Sequence, residues 1–221
     1  MKVAPTPRTD PALSVDSVRL VIMRPPLPIT DAVVTVLTNR LISKFQTVTK
    51  GDEDEWYFNT ANGSASVILT PDRIQFATNA PMDPEIILAT IVFPIDLVLG
   101  GLEFKPPYPY GIYFAGSFDA APGTSLEAID AKSDVFKALT PDGSTHLGGG
   151  FRNVYVESGQ TFDCKVETLF LNSKKFFVSV DANCLATPAD NALGLVEDLR
   201  RKFDLFTKKF APLVSHLMVR A

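Results

Sequence analysis

The chain has 221 residues, 46% of them hydrophobic and 21% charged, with 21 Lys and Arg set against 25 Asp and Glu. That is globular composition, which excludes a disordered or fibrous chain and leaves enough length to bury a core without a covalent staple. The basic residues are scattered, and without a basic stripe to neutralise phosphates the sequence speaks against nucleic-acid binding.

Residues 1–14, MKVAPTPRTDPALS, read as a proline-rich arm with no apolar run of the kind a signal peptide carries. SVRLVIM, Ser17 to Met23, is apolar and β-branched enough for a strand, and RPPLP stops it. The spacing of Val33, Val34, Leu37, Leu41, Ile42 and Phe45 predicts an amphipathic helix over Ile29–Phe45, capped by Thr30 or Asp31. TKGDEDE follows as an exposed acidic loop that lacks the ligand spacing of a calcium loop.

Strands are expected at about 55–61, 64–70 and 73–79, joined by the NG of Asn62 and Gly63 and by TPDR, which suits a type I turn. Asp83 followed by Pro84 is a specific helix start, and the helix over Pro84–Leu99 is apolar nearly all round. The longest apolar run, which contains Pro94 and Asp96, is about 14 residues to Leu99, too short to span a bilayer, so no membrane insertion is expected. GGLEFKPPYPYG, residues 100–111, then ends the helix and gives a stiff connector over 104–111 that carries Phe104, Tyr108 and Tyr110 among prolines.

After the connector the pattern restarts. YGIYFAGSF reads as a strand and Ser125–Leu139 as a helix with Leu126, Ile129, Phe136 and Leu139 inward, followed by the loop TPDGSTHLGGG. Strands are expected at about 150–158, 161–171 and 174–182, and Pro188 and Asp190 introduce a last helix carrying Leu195, Val196, Leu199, Phe203, Phe206 and Phe210. The expected fold is α+β: two β-α-β-β-β-α halves, 15–103 and 104–221, joined edge to edge into one curved antiparallel sheet with its helices on one face and a pseudo-twofold axis.

Chemistry is sparse. His146 and His216 have no partner at metal-ligand spacing, so neither metal nor cofactor is expected. Gly148 to Gly150 lack the Lys-Ser or Lys-Thr of a phosphate loop, and no nucleophile elbow occurs, so no catalytic residue can be named. Cys164 and Cys184 fall on paired strands at an offset that predicts two free buried thiols. Asp163 and Asp181 could form a carboxylate pair on the open sheet face.

RPPLP after the first strand, LTPDRIQF in the middle hairpin and FFVSVDAN before the closing helix resemble a sporadically distributed family of uncharacterised bacterial proteins. Where that family carries an Arg- and Asn-rich strand, this chain has PYGIYFAGSF. The resemblance implies accessory or mobile gene neighbourhoods and supplies no activity. From the residues alone, the expectation is a cytoplasmic, non-enzymatic subunit of a homo- or hetero-oligomeric assembly, partnered by itself or by other proteins. Its contacts would be Ile87, Ile91, Ile95, Leu99, Phe104, Tyr108 and Tyr110. The alternative is a small-molecule-binding or enzymatic domain with a cleft between sheet and helices.

Overall fold

The computed structural model describes residues 13–52, 54–78, 83–120, 125–130, 148–169 and 171–214. The arm before Leu13, the later part of the helix expected after Ser125, Phe170, His146 and His216 lie outside the described residues. The chain is α+β, with a single nine-stranded antiparallel sheet and, among the described residues, four α-helices.

The first half runs β1 (Ser14–Met23), α1 (Asp31–Leu41), β2 (Thr47–Lys50), β3 (Trp56–Asn59), β4 (Ala65–Thr70), β5 (Arg73–Thr78) and α2 (Pro84–Gly101). The second runs β6 (Tyr110–Asp119), α3 (Ser125–Asp130), β7 (Gly150–Glu157), β8 (Gln160–Thr168), β9 (Lys175–Asn183) and α4 (Ala192–Leu205). Across the sheet the order is β2-β3-β4-β5-β1-β6-β9-β8-β7. β1 and β6 are neighbours at the centre of this order, and β2 and β7 lie at its two ends.

The first half holds one strand more than expected. Thr47–Lys50, of which only Thr49 and Lys50 belong to the expected acidic loop, pairs with β3 from Thr47↔Asn59 to Lys50↔Trp56. The loop proper is confined to the turn beyond it, where Gly51 N–H donates to Glu55 O at 2.9 Å. The Asn62-Gly63 pair lies in a longer loop, Thr60 to Ser64, in which Gly63 has φ +68° and the Asn62 carboxamide accepts from Ser64 N–H at 3.1 Å. A tight two-residue turn with positive φ occurs instead at Ser158 (+51°) and Gly159 (+78°), joining β7 to β8.

RPPLP does more than end β1. Arg24 N–H donates to Asp72 O at 2.9 Å, Leu27 N–H to Pro71 O at 3.0 Å and Arg24 Nε to Pro71 O at 3.1 Å. The proline segment is thereby fastened to the β4–β5 turn, which satisfies carbonyls that proline cannot serve. At the sheet's centre β1 and β6 pair from Ser14↔Ser117 to Ile22↔Tyr110, with a bulge between Val15 and Ser17. Gly116 is needed beside that bulge, since a Cβ there would sit 2.5 Å from Ser14 O.

Helices α1, α2 and α4 line one face of the sheet, and α2 packs between the other two while also touching β1, β4 and β5. That position explains a helix apolar nearly all round: sheet below, a helix on either side. Val18, Leu20 and Ile22 of β1, Phe114 of β6, Leu37 of α1, Ile91 and Ile95 of α2 and Leu199 of α4 share one core and are almost wholly buried. Fully burying a side chain such as Ile95 contributes about 2 kcal/mol.

The end of α2 carries a backbone cost. Phe104 N–H donates back to Leu99 O at 3.1 Å, and the left-handed position that closes this helix end is Glu103, φ +51°, whereas Gly100 and Gly101 come earlier. A side chain with a Cβ is strained there. Glu103→Gly should therefore raise stability by about 1 kcal/mol, seen as a higher urea midpoint at unchanged slope, and Glu103→Ala, which keeps the Cβ, should not.

Candidate functional site

The expected contact residues do not form a surface. Ile87, Ile91, Ile95 and Leu99 are the face of α2 that enters the core, and Tyr108 and Tyr110 are 5% and 3% exposed. Phe104 is half-buried, its ring 5.2 Å from that of Tyr108. The two tyrosines are covered, while Lys105, Pro106 and Pro107 stay exposed, because the connector joins the sheet layer at Tyr108: Tyr108 N–H donates to Ala189 O at 2.8 Å and Ala189 N–H returns to Tyr108 O at 2.9 Å. What α2 leaves outward is another stripe, with Ile86 57% exposed and Val92, Phe93 and Leu97 half-buried. By length and composition alone, 18 residues of mean hydropathy 1.7, the helix could cross a membrane; in the fold it is the middle helix of the layer.

Between α4 and the sheet lies a buried ionic cluster that no motif in the sequence marks. Lys202, 3% exposed, and Arg201 both pair with Asp198, and the Tyr110 hydroxyl donates to the same carboxylate. Burial pushes the Asp198 carboxyl up, but the bonds from Lys202, Tyr110 and Arg201 outweigh it and hold the group below the usual carboxylate range. Tyr110 is pushed far up, by burial first and then by donating to Asp198. A cavity of about 50 Å³ adjoins the cluster, lined by Phe114, Phe162, Cys164, Lys202 and Phe206 among others. That is far below the several hundred Å³ of a ligand pocket, so this cavity holds no small molecule of ordinary size.

Cys164 and Cys184 are free and buried. Cys164 faces Val180, which leaves Cys184 four residues further along, roughly 13 Å away at strand rise. Burial pushes both thiols up, so neither is primed as a thiolate. Among the described residues no group of three His, Cys, Asp or Glu could hold a metal ion.

The open sheet face carries the larger opening, a groove of about 410 Å³ over the β5-β1-β6-β9 centre, lined by Arg19, Val21, Gln75, Gly111, Tyr113 and Asp181, among others. Register makes the grouping: Arg19 pairs with Tyr113, Tyr113 with Asp181, and Asp181 with Asp163. The two aspartates are thus brought together as the sequence suggested. Arg152 holds Asp163 by two bonds of 2.9 and 2.7 Å, keeping that carboxyl below its ordinary value, while Asp181 is pushed up by burial and by Asp163, against Lys165.

The two sheet edges differ. β2 is four residues long, ends in Lys50 beside Asp54 and leads into an acidic turn, all features that discourage a further strand. β7 is eight residues long, and Val154 and Val156 are 53% and 69% exposed. Thr168 N–H donates to Gly149 O at 3.0 Å, and alternation from there turns residues 151, 153, 155 and 157 toward β8. The N–H and C=O groups of Gly150, Arg152, Val154 and Val156 face outward with no strand beside them among the described residues.

No protein-family model matches the chain, and no curated protein matches it. The family resemblance therefore rests on its three motifs, of which the first two touch each other through the Arg24 and Leu27 bonds to the β4–β5 turn.

Two outcomes follow from these geometries. Asp198→Asn leaves Lys202 buried without its counter-charge and should cost about 3 kcal/mol in urea unfolding, whereas adding Lys202→Met to it should recover part of that loss. In carboxyl NMR titration Asp163 should ionise below and Asp181 above an ordinary aspartate. The stabilisation from Asp163 is present at neutral pH and lost as pH falls through its lowered folded value; for Asp181 the sign reverses, and the fold gains as pH falls through the raised one.

Proposed function

We propose that the protein is a non-enzymatic subunit of a homo-oligomeric assembly and that it self-associates by pairing β7 with β7 of a second copy. The observation that carries this reading is the open edge: eight residues with no proline, one charge in its interior, and a full row of outward backbone groups. Antiparallel self-pairing about a two-fold axis through Val154 sets Arg152 opposite Val156 of the second copy and brings the two Val154 side chains together. No like charges meet, because the Arg152 guanidinium stays on its own Asp163. One sheet then continues through both subunits.

The same reading takes the chain as a duplicated unit. β1 and β6 each open a half and are neighbours at the sheet's centre, while β2 and β7, the strands reached after the first helix of each half, lie at the two ends. The first copy blunts its edge with a short β2; the second has no strand beside its edge among the described residues. Two free thiols suit a reducing compartment such as the cytoplasm.

A single strand pair buries less than about 1,200 Å², so the dimer should be concentration-dependent. Light scattering behind size exclusion should show the mass rising toward two chains as protein concentration rises. Val154→Pro removes an outward N–H without touching the β8 ladder, so it should give a monomer with near-native stability. A wild-type chain that stays monomeric at high concentration, or a Val154→Pro variant that still dimerises, would overturn the proposal.

A further inference from the structure

The groove on the open sheet face has the features of a binding site that the assembly reading does not use. Its hollow is made by a missing side chain. Gly111 lies between Val21 and Asn183 in register, and a Cβ added to it would meet nothing nearer than Ala182 O at 3.7 Å. Its φ is not left-handed, so the backbone does not demand glycine there. The space above it is open, flanked across the strands by Val21 and Asn183 and along β6 by Tyr113, and Met23 and Leu185 also line it.

The polar groups around this hollow are only partly engaged. Arg19 lies 5.7 Å from the centre of the Tyr113 ring and has no acidic partner among the described residues. Asn183 Oδ1 accepts from Leu185 N–H at 3.1 Å, which leaves its amide N–H groups to donate elsewhere. Asp181 stands across Tyr113 from Arg19, two strands away, and makes no hydrogen bond among the described residues. A cation on one side of Tyr113, a carboxylate on the other and an apolar hollow over Gly111 beside that row define polarity as well as shape. The volume of about 410 Å³ falls in the range of small-molecule sites.

We infer that this groove binds a planar aromatic or heteroaromatic anion, its ring over Gly111 against Tyr113, its negative group on Arg19 and a ring-bound N–H directed to Asp181. Repulsion from Asp181 keeps the anionic group at the β1 end, so the ligand enters in one orientation.

Anilinonaphthalenesulfonate, a planar aromatic sulfonate with one N–H, is the probe. Titrated into the full chain and followed by amide NMR, it should saturate a single site and shift resonances around Val21, Gly111, Tyr113 and Asn183. Gly111→Leu, which fills the hollow, should abolish binding, and Arg19→Gln, a change on an exposed side chain, should weaken it roughly tenfold. Shifts centred on Ile86 and Phe93 of α2, the absence of saturable binding, or an affinity unchanged by Arg19→Gln would each overturn the inference. Arg19→Gln leaves the core untouched, so its effect on affinity is decisive even where Gly111→Leu disturbs the fold. Neither substitution touches β7, so failure here and failure of the dimer are separable.

Discussion

Pairing of β1 with β6 is the constraint from which the rest of the molecule follows. It joins the first strand of each half into the middle of the sheet, so every other strand must be added outward or inward of that seam. Antiparallel pairing fixes register residue by residue, and a slip of one would turn Val18, Leu20 and Ile22 out of the core. The bulge at Val15–Ser17 and the glycine at 116 serve that seam by letting the two backbones approach. The open-face groove is a consequence of the same pairing, since Arg19 and Val21 reach it from one side and Gly111 and Tyr113 from the other.

The helical layer answers a second requirement, that one face of a wide sheet be covered. α2 does most of this, which is why its composition is so apolar and why it carries Pro94 within its length. Proline there withholds a backbone donor, a cost of about 3 kcal/mol in an isolated helix that packing on both flanks offsets. Toward α4 the layer becomes polar at one point only among the described residues, where Asp198 gathers Lys202, Arg201 and Tyr110. Such a cluster contributes little net energy over an apolar one, but removal of one member is costly, so it fixes the seating of α4. Beyond it a π-helical turn over Phe206–Phe210 leaves the Phe206 ring stacked on Phe114 at 5.5 Å.

Much of the fold could be read in the residues because the signals were local. Asp83 accepting from Glu85 N–H and Thr30 from Val33 N–H are the caps the sequence pattern asks for, and TPDR closes β4 onto β5 as its turn chemistry requires. The strand at Thr47–Lys50 was hidden because four residues of mixed polarity at a sheet edge have no alternating pattern to show. The connector misleads for a different reason: aromatics among exposed prolines look exposed too until the Tyr108–Ala189 bridge is known, and that contact is 81 residues distant in sequence. Of the site, only Asp163 and Asp181 were legible. Gly111 in the middle of a strand was the available signal for the groove, because a glycine there marks either close approach or open space.

A sheet that closes its centre so completely leaves its edges to be managed, and the two ends are managed differently. In the proposed assembly β7 is the end left to a second copy. Amide hydrogen exchange resolved by residue tests this most directly. Residues 151, 153 and 155 should be protected at every concentration through β8, whereas Arg152, Val154 and Val156 should exchange freely in dilute protein and become protected as it is concentrated. If those three amides exchange at one rate across that range, β7 does not pair and the assembly account is contradicted.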